Sequence, residues 1–270
     1  MKIYILGDSF ADNLFKNEIN AIINGEKREG PISKYINLLK NENLPDPMHF
    51  GDYLKLWGHE VINLGIGGCS NESIFHQFTQ IKEPFDRLIV NWTGLSRFDW
   101  YLENSEVRTF TGGINLGFKA TTEDELLIEQ GYYRQESTLV KNKTNDFISF
   151  YLKMYEKQKP ITWSPFEPVS EMIENQKGFI WDIKNPIFND IIPECNKLEI
   201  RGETNKKLDD RHYGRYGNFY TALVFNTILE HTNDVEHDGY YTKDLNLISK
   251  IKDRIVNAKH NIIDLKNNNI

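Results

Sequence analysis

Short apolar runs alternate with amphipathic segments along the first 93 residues. Lys2–Leu6, Glu60–Gly65 and Arg87–Thr93 are rich in β-forming residues and end at glycine or polar positions. Between the second and third runs, apolar side chains recur at helical spacing: Ile74, Phe75, Phe78 and Ile81. A helix between two strands supplies the crossover that parallel pairing requires. The pattern therefore predicts a βαβ unit.

The rest of the chain continues the alternation of strands and helices. The predicted elements are a helix over Asp146–Glu156, a buried strand over Pro160–Ser164, an apolar helix over Tyr216–Leu229 and a C-terminal packing helix over Lys243–Lys259. This order predicts an α/β fold, a three-layer α/β/α sandwich with a mainly parallel sheet. The length favours a single domain that spans residues 1–270.

Three segments do not fit this alternation. Residues 16–47, 98–140 and 180–207 are polar or mix aromatic residues with Gly, Pro and Asn. We interpret them as insertions. Such segments commonly surround the carboxyl edge of a sheet and shape a binding site, although a structural cover or a hairpin is equally allowed.

Composition and charge exclude several classes of partner. The 32 basic and 39 acidic residues give a net charge of -7, and no segment gathers the basic residues into a nucleic-acid-binding surface. No stretch predicts a membrane span, and residues 1–6 are too short an apolar run for a signal peptide. We expect a cytoplasmic protein, or one exported by a route that leaves no N-terminal mark. Cys69 and Cys195 lie far apart without ligand spacing, so neither zinc nor a disulfide framework is indicated.

Candidate chemistry begins where the first predicted strand ends. Ser9 follows Gly7-Asp8 directly, so the turn that leaves the sheet presents a hydroxyl at the edge where α/β proteins bind ligands. A serine nucleophile is one interpretation of this position. Helix capping is the other, because Asp and Ser are both common N-cap residues.

A second polar group precedes the helix predicted over Tyr216–Leu229. Asp209 stands three residues before His212, so one short loop can set both side chains. A serine hydroxyl needs a base to take its proton, and an imidazole is a good base when an acceptor holds its other nitrogen. Asp209 can be that acceptor, with Asp210 as its alternative. A solvated turn without catalytic function is also compatible with this pattern.

Together these residues resemble the SGNH (GDSL-like) hydrolase family. The resemblance rests on Gly7-Asp8-Ser9-Phe10, on a strand that leads to Gly67-Gly68 and a helix, on a third strand that ends near Thr93-Gly94, and on Asp209-x-x-His212. These blocks stand in the family's order between residue 2 and about residue 230. The resemblance implies a flavodoxin-like three-layer fold and ester hydrolysis through an acyl-serine, with Ser9, His212 and Asp209 as catalytic residues and without a cofactor.

The resemblance also implies an oxyanion hole with three donors. The backbone N–H groups of Ser9 and Gly68 fill two of these roles. The family's third donor is an Asn side chain, and here the block reads Asn91-Trp-Thr-Gly-Leu-Ser-Arg97. We predict Thr93 or Ser96 as the replacement, with Asn91 as a further alternative; both hydroxyls could instead bond local backbone.

Asp8 and Arg97 are candidates for binding an anionic or polyhydroxylated substrate, because both follow predicted strands at the same edge. A surface pair between Arg97 and Asp99 is the simpler explanation. Aromatic residues nearby could stack on a sugar ring, although packing is their commoner role: Trp92, Trp100, Tyr101, Tyr132 and Tyr133.

Two other motifs carry less weight. Gly65-x-Gly67-x-x-Ser70 is similar to a dinucleotide fingerprint but lacks the last glycine. A polar segment after the apolar helix contains potential metal ligands without a recognised spacing: His231, Asp234, Glu236, His237 and Asp238. We expect no metal.

The resulting functional hypothesis is a serine esterase that acts on a small-molecule or glycan ester, with O-acetyl groups on carbohydrate as candidates. The alternative is a weakly active or inactive SGNH-fold module, which binds carbohydrate or serves in a larger assembly. The abundance of Asn, Lys, Ile and Tyr suggests an AT-rich bacterial or phage genome. If the gene is from a phage, we expect the protein to be associated with the virion.

Overall fold

The computed structural model describes most of the chain: residues 1–28, 30–41, 43–101, 107–111, 137–164, 167–174, 214–234 and 245–267. The chain has the predicted α/β fold, with a four-stranded, all-parallel sheet and helices on both sides of it, as in a three-layer α/β/α sandwich. Its contacts form two compact units, one from Met1–Asn13 and His59–Asp182 and the other from Leu14–Gly58 and Ile183–Ile270.

The described elements follow in chain order. They are β1 (Lys2–Gly7), α1 (Leu14–Ile23), α2 (Pro31–Asn41), α3 (Phe50–Leu56), β2 (Glu60–Asn63), α4 (Asn71–Gln77), β3 (Arg87–Asn91), β4 (Arg97–Tyr101), β5 (Val107–Thr111), α5 (Thr138–Met154), β6 (Ile161–Trp163), α6 (Glu167–Glu174), α7 (Arg215–Asp234) and α8 (Leu245–Asn267). Short 3₁₀ turns at Phe78–Gln80 and Glu156–Gln158 follow α4 and α5.

The parallel sheet of the first unit has the strand order β2-β1-β3-β6. β1 is a central strand: Ile3 pairs with Val61 on one side and with Arg87 on the other. The chain passes from β1 to β2 on one side and returns through α4 to β3 on the other. This is the beginning of the flavodoxin-like strand order, whose topological switch point lies between β1 and β3. The predicted βαβ unit is confirmed.

Alternate residues of the strands contribute to a buried core cluster of this unit. Tyr4 and Leu6 of β1 share one buried cluster with residues of β3, α4, α5 and α6. The buried members are Tyr4, Leu6, Cys69, Ile74, Leu88, Val90, Trp92, Leu95, Ile148, Tyr151, Val169 and Ile173. The Tyr151 hydroxyl donates to the carbonyls of Ile74 and Phe75, and burial raises its pKa. α5 and α4 are thereby joined by polar as well as apolar contacts.

A two-stranded antiparallel hairpin follows β3. β4 pairs with β5, and Arg97 stands opposite Thr111 in the register. The Ser73 hydroxyl of α4 donates to Asp99 of β4 at 2.7 Å. Apart from Arg97, this hairpin lies inside the predicted insertion 98–140, for which a hairpin was one of the expected forms.

The second unit consists of helices in its described part. α1 and α2 pack through Phe15, Tyr35 and Leu39, and α3 packs on α7 through the edge-to-face pair of Phe50 and Phe225. The predicted insertion 16–47 therefore contains two helices. Their apolar periodicity was present in the sequence, and Pro31 stands at the first helical position, which tolerates proline.

Other differences concern the ends of elements. α5 begins at Thr138, eight residues before the predicted start; the buried residue of its first turns, Thr144, is polar and so did not contribute to the apolar periodicity. The C-terminal helix extends beyond its predicted end to Asn267. The predicted insertion 180–207 lies outside the described residues. Within the part of the chain that is described, no helix is long and apolar enough to cross a membrane.

Candidate functional site

The turn that carries Ser9 begins at a glycine that no other residue could replace without strain. Gly7 ends β1 with φ +147°, and a Cβ at this position would lie 2.7 Å from Asn91 Cβ and 2.8 Å from Ala11 Cβ. The chain then forms a helical turn, because the Asp8 carbonyl accepts from the N–H groups of Ala11 and Asp12. This geometry places Ser9 directly beyond the carboxyl end of the central strand.

Ser9 is buried, with 8% of its surface exposed, and its hydroxyl has no hydrogen-bond partner among the described residues. Buried polar side-chain atoms are normally hydrogen-bonded, so an unpartnered hydroxyl at a sheet edge calls for an explanation. Helix capping does not supply one, because the Asp8 carboxylate is the group that accepts from the Phe10 N–H, at 3.0 Å. The serine hydroxyl remains available for another partner.

A glycine-rich loop is fastened to the serine turn. The Asn63 side chain donates to the Ala11 carbonyl at 2.6 Å, and the Gly67 N–H donates to the Asp12 carboxylate at 2.9 Å. Gly65 must be glycine, because a Cβ there would lie 2.7 Å from backbone atoms of Ala11 and Asp12. These contacts hold the loop against the turn that carries the candidate nucleophile.

Gly68, the candidate second oxyanion donor, lies in this loop with φ +81°. A Cβ on Gly68 would meet no atom within 4 Å, so its requirement is conformational rather than steric. Ser70 then caps α4, since its hydroxyl accepts from the Ser73 N–H. In the stretch that is similar to a dinucleotide fingerprint, the Gly67 N–H donates to the Asp12 carboxylate and Ser70 caps a helix.

The two candidates for the third oxyanion donor differ in their surroundings. Thr93 is fully buried, and its hydroxyl has no hydrogen-bond partner within the described part of the chain. Its backbone is held by Asn71, which accepts from the Thr93 N–H at 2.9 Å and donates to the Thr93 carbonyl at 3.0 Å. Ser96 is half-buried. An uncommitted buried hydroxyl favours Thr93.

Asn91, the further alternative, ends β3 directly opposite Gly7. Its side chain is fully buried, and its amide nitrogen lies 3.5 Å from the Trp92 carbonyl, which is a long contact. Its amide oxygen has no partner among the residues described. The position beside Gly7 makes Asn91 part of the packing under the serine turn.

Asp8 and Arg97 form a buried ion pair. Arg97 donates to the Asp8 carboxylate at 2.9 Å; the Asp8 side chain is fully buried, and the Arg97 side chain is 9% exposed. The sequence interpretation had considered a surface pair with Asp99, whose carboxylate here accepts from Ser73. Because Asp8 precedes the candidate nucleophile, the pair joins the serine turn to the first residue of β4. A substrate-binding role for Asp8 and Arg97 stays a prediction.

Gln77 holds the end of β1 from the other end of α4. Its amide oxygen accepts from the Gly7 N–H at 2.7 Å, and its amide nitrogen donates to the Gly7 carbonyl at 3.0 Å. Cys69 donates weakly to the same carbonyl. Burial, followed by the negative charge of Asp8, raises the pKa of the Cys69 thiol, so it remains protonated at neutral pH. Sequence inspection missed Gln77 and Asn71, since a polar residue in a short helix carries no distinctive signal.

Asp209, Asp210 and His212 lie outside the described residues, as does Cys195. The structure describes the chain again from Gly214, in the second unit. There, Asn218 accepts from the Phe50 N–H and donates to the Gly214 carbonyl, while the Arg215 N–H donates to the Tyr35 hydroxyl. The start of α7, immediately after the candidate histidine, is thus anchored to α3 and α2.

No metal-binding group of three or more His, Cys, Asp or Glu side chains occurs in the described ranges. Of the possible ligands after the apolar helix, His231 lies 3.2 Å from Lys250 Nζ, and Glu236, His237 and Asp238 lie outside those ranges. Trp92 is buried against Tyr151 at a ring distance of 5.4 Å, which is a packing role. The other candidate aromatic side chains are not among those described: Trp100, Tyr101, Tyr132 and Tyr133.

The chain was compared with known proteins. No family model matches it, and no curated protein matches it either. The resemblance to SGNH hydrolases stays a prediction from the sequence blocks around Ser9, Gly68, Thr93 and His212.

Proposed function

We propose that this protein is a serine esterase that hydrolyses carboxylic esters through an acyl-serine intermediate, with O-acetyl groups on carbohydrate as its substrate class. The observation that carries the proposal is the Ser9 hydroxyl. It stands in the turn after the central strand, it is buried, and it has no hydrogen-bond partner among the described residues. A nucleophile held ready for a base has these properties.

The topology supports the same position. In open α/β sheets, ligands bind outside the carboxyl ends of the strands, where adjacent connections leave in opposite directions. Ser9 follows β1 and Thr93 follows β3, the two strands on either side of this switch point. Gly7 and Asn91 are in register, and Ser9 and Thr93 each follow two residues after this pair.

In the proposed mechanism, His212 takes the proton of the Ser9 hydroxyl as its oxygen attacks the ester carbonyl. Asp209 holds the imidazole in the required tautomer. The N–H groups of Ser9 and Gly68 and the Thr93 hydroxyl stabilise the oxyanion. The C–O bond to the alcohol breaks as His212 returns the proton to it, and water then releases the acid and restores Ser9.

The test is hydrolysis of p-nitrophenyl acetate and longer acyl esters by the wild type and by Ser9→Ala, together with labelling by a fluorophosphonate. Ser137→Ala is the matched control, because Ser137 precedes α5 without a side-chain capping bond. We expect turnover and labelling in the wild type and in the control, and neither in Ser9→Ala. Acetate release from acetylated glycans then tests the substrate class.

Each alternative outcome has a defined meaning. Turnover that survives Ser9→Ala contradicts the assignment of the nucleophile. A wild type that neither hydrolyses these esters nor reacts with the fluorophosphonate favours the binding-module hypothesis. Loss of activity in His212→Ala with retention in Asp209→Asn moves the orienting carboxylate to Asp210.

A further inference from the structure

The Asn71 side chain supplies both hydrogen bonds that the Thr93 backbone needs. β3 ends at Asn91, and the Trp92 N–H still bonds to the Trp163 carbonyl of the neighbouring strand. At Thr93 the strand pairing has ended, although the residue is fully buried. A buried peptide group without partners is costly. The Asn71 amide, itself 3% exposed, takes the place of a strand by accepting from the Thr93 N–H and donating to its carbonyl.

Two hydrogen bonds to one residue determine more than its position. They fix the orientation of the backbone on both sides of the Thr93 Cα and therefore the direction of its Cβ. Threonine is β-branched and has few χ1 rotamers, so a fixed Cβ restricts the hydroxyl to few directions. The side-chain hydroxyl itself makes no hydrogen bond within the described residues. Its proton can be directed to a ligand.

Asn71 also belongs to the helix that begins just after Gly68. The loop reaches α4 through Ser70, which caps it, and Asn71 is the first helical residue. Hence the start of one helix is connected both to the backbone N–H proposed as the second oxyanion donor and to the threonine proposed as the third.

We propose that Asn71 is a positioning residue of the oxyanion hole, which acts through Thr93 by holding its hydroxyl toward the developing oxyanion. This inference rests on the proposed esterase function. It assigns to Thr93, rather than to Ser96, the role of the third donor. It also predicts that Asn71 contributes to kcat only when the Thr93 hydroxyl is present.

A double-mutant cycle on steady-state hydrolysis tests this coupling. Thr93→Val removes the hydroxyl and nearly preserves the shape, and because the hydroxyl is unpartnered, we expect the variant to fold. Its kcat should fall about 100-fold or more with KM little changed, as for the loss of one oxyanion donor. Asn71→Ser should lower kcat by roughly 10- to 100-fold through misplacement of that hydroxyl. The double variant should lose no more than Thr93→Val alone.

Tyr151→Phe is the matched control. It also removes two hydrogen bonds to backbone carbonyls, those of Ile74 and Phe75 in α4, and neither of these bonds is to Thr93 or Gly68. We expect its kcat to equal that of the wild type. Thr93→Ser, which keeps a hydroxyl, should restore most of the activity that Thr93→Val loses.

Further outcomes separate this inference from the proposed function. Multiplied losses in the double variant, or a kcat loss in Tyr151→Phe equal to that in Asn71→Ser, would overturn the role of Asn71 in an enzyme that remains a serine esterase. Absence of Ser9-dependent turnover in the wild type overturns both. Should Asn71→Ser not fold, Asn71→Asp replaces it. Only the protonated acid can donate to the Thr93 carbonyl, so the kcat of Asn71→Asp relative to that of the wild type should fall as pH rises. A ratio that stays constant with pH contradicts the inference.

Discussion

Replacement of Arg97 by methionine should destabilise the first unit strongly. Met fills a similar volume without charge, so the change leaves the Asp8 carboxylate fully buried, with the Phe10 N–H as its remaining described donor. Removal of one partner from a buried ion pair costs about 3 to 5 kcal/mol. An exposed pair is worth roughly 0 to 1 kcal/mol. The burial of Asp8 and Arg97 places this pair in the first class.

The assay is equilibrium unfolding in urea, which, unlike guanidinium chloride, does not screen charges. With a slope of about 1 to 3 kcal/mol per molar, Arg97→Met should lower the midpoint by at least about 1 M. Asp8→Asn combined with Arg97→Met should recover most of the loss, because a buried pair replaced by neutral groups is often close to neutral in stability. The control is Arg254→Met, which breaks a half-exposed pair with Glu230. A cost for Arg97→Met no greater than that of the control would refute the reasoning.

Three further predictions concern residues beside the site. Gly7→Ala should cost about 2 to 5 kcal/mol in unfolding free energy, from backbone strain and from the clash with Asn91, as measured by urea unfolding; a loss below 1 kcal/mol contradicts this. In a Cys195→Ser background, Cys69 should resist iodoacetamide at pH 8 until urea unfolds the chain, because burial raises its pKa; rapid labelling of the folded protein contradicts its burial. Asp209→Asn should lower kcat by up to about 10⁴-fold through the wrong imidazole tautomer, and an unchanged rate would exclude Asp209 as the orienting acid.

The parallel sheet could be predicted because its strands carry continuous apolar runs. Lys2–Leu6 and Arg87–Thr93 are buried on both faces, and such runs are visible in a single sequence. The first turns of α5, which contain Thr138 and Thr144, were not predicted because polar residues interrupt their apolar periodicity. The buried Thr144 shows that the packed face of this helix is not wholly apolar. The two helices of 16–47 were not predicted because Gly25, Gly30 and Pro31 suggested a loop. These residues lie between the two helices and at the start of the second one.

Some residues of the candidate site could likewise be predicted from the sequence, and others could not. Ser9 and Gly68 could be found because they stand where a strand signal meets a glycine, which is a local pattern. The ion pair of Asp8 with Arg97 and the contacts of Asn71 with Thr93 could not, because each joins residues that are distant in the chain and carries no periodicity. Such pairings are set by tertiary packing, which one sequence does not display.

The central position of β1 has a consequence for the order in which this protein is made. β1 cannot complete its pairing early, because Ile3 pairs with Arg87 of β3, which stands much further along the chain. During synthesis, β1 therefore gains its second neighbour only after β3 has left the ribosome. Closing so long a loop lowers the entropy of the chain before the contacts between β1 and β3 can offset that cost. β1 must wait for this partner, and slowing synthesis between β2 and β3 would prolong the interval in which one of its edges is unpaired.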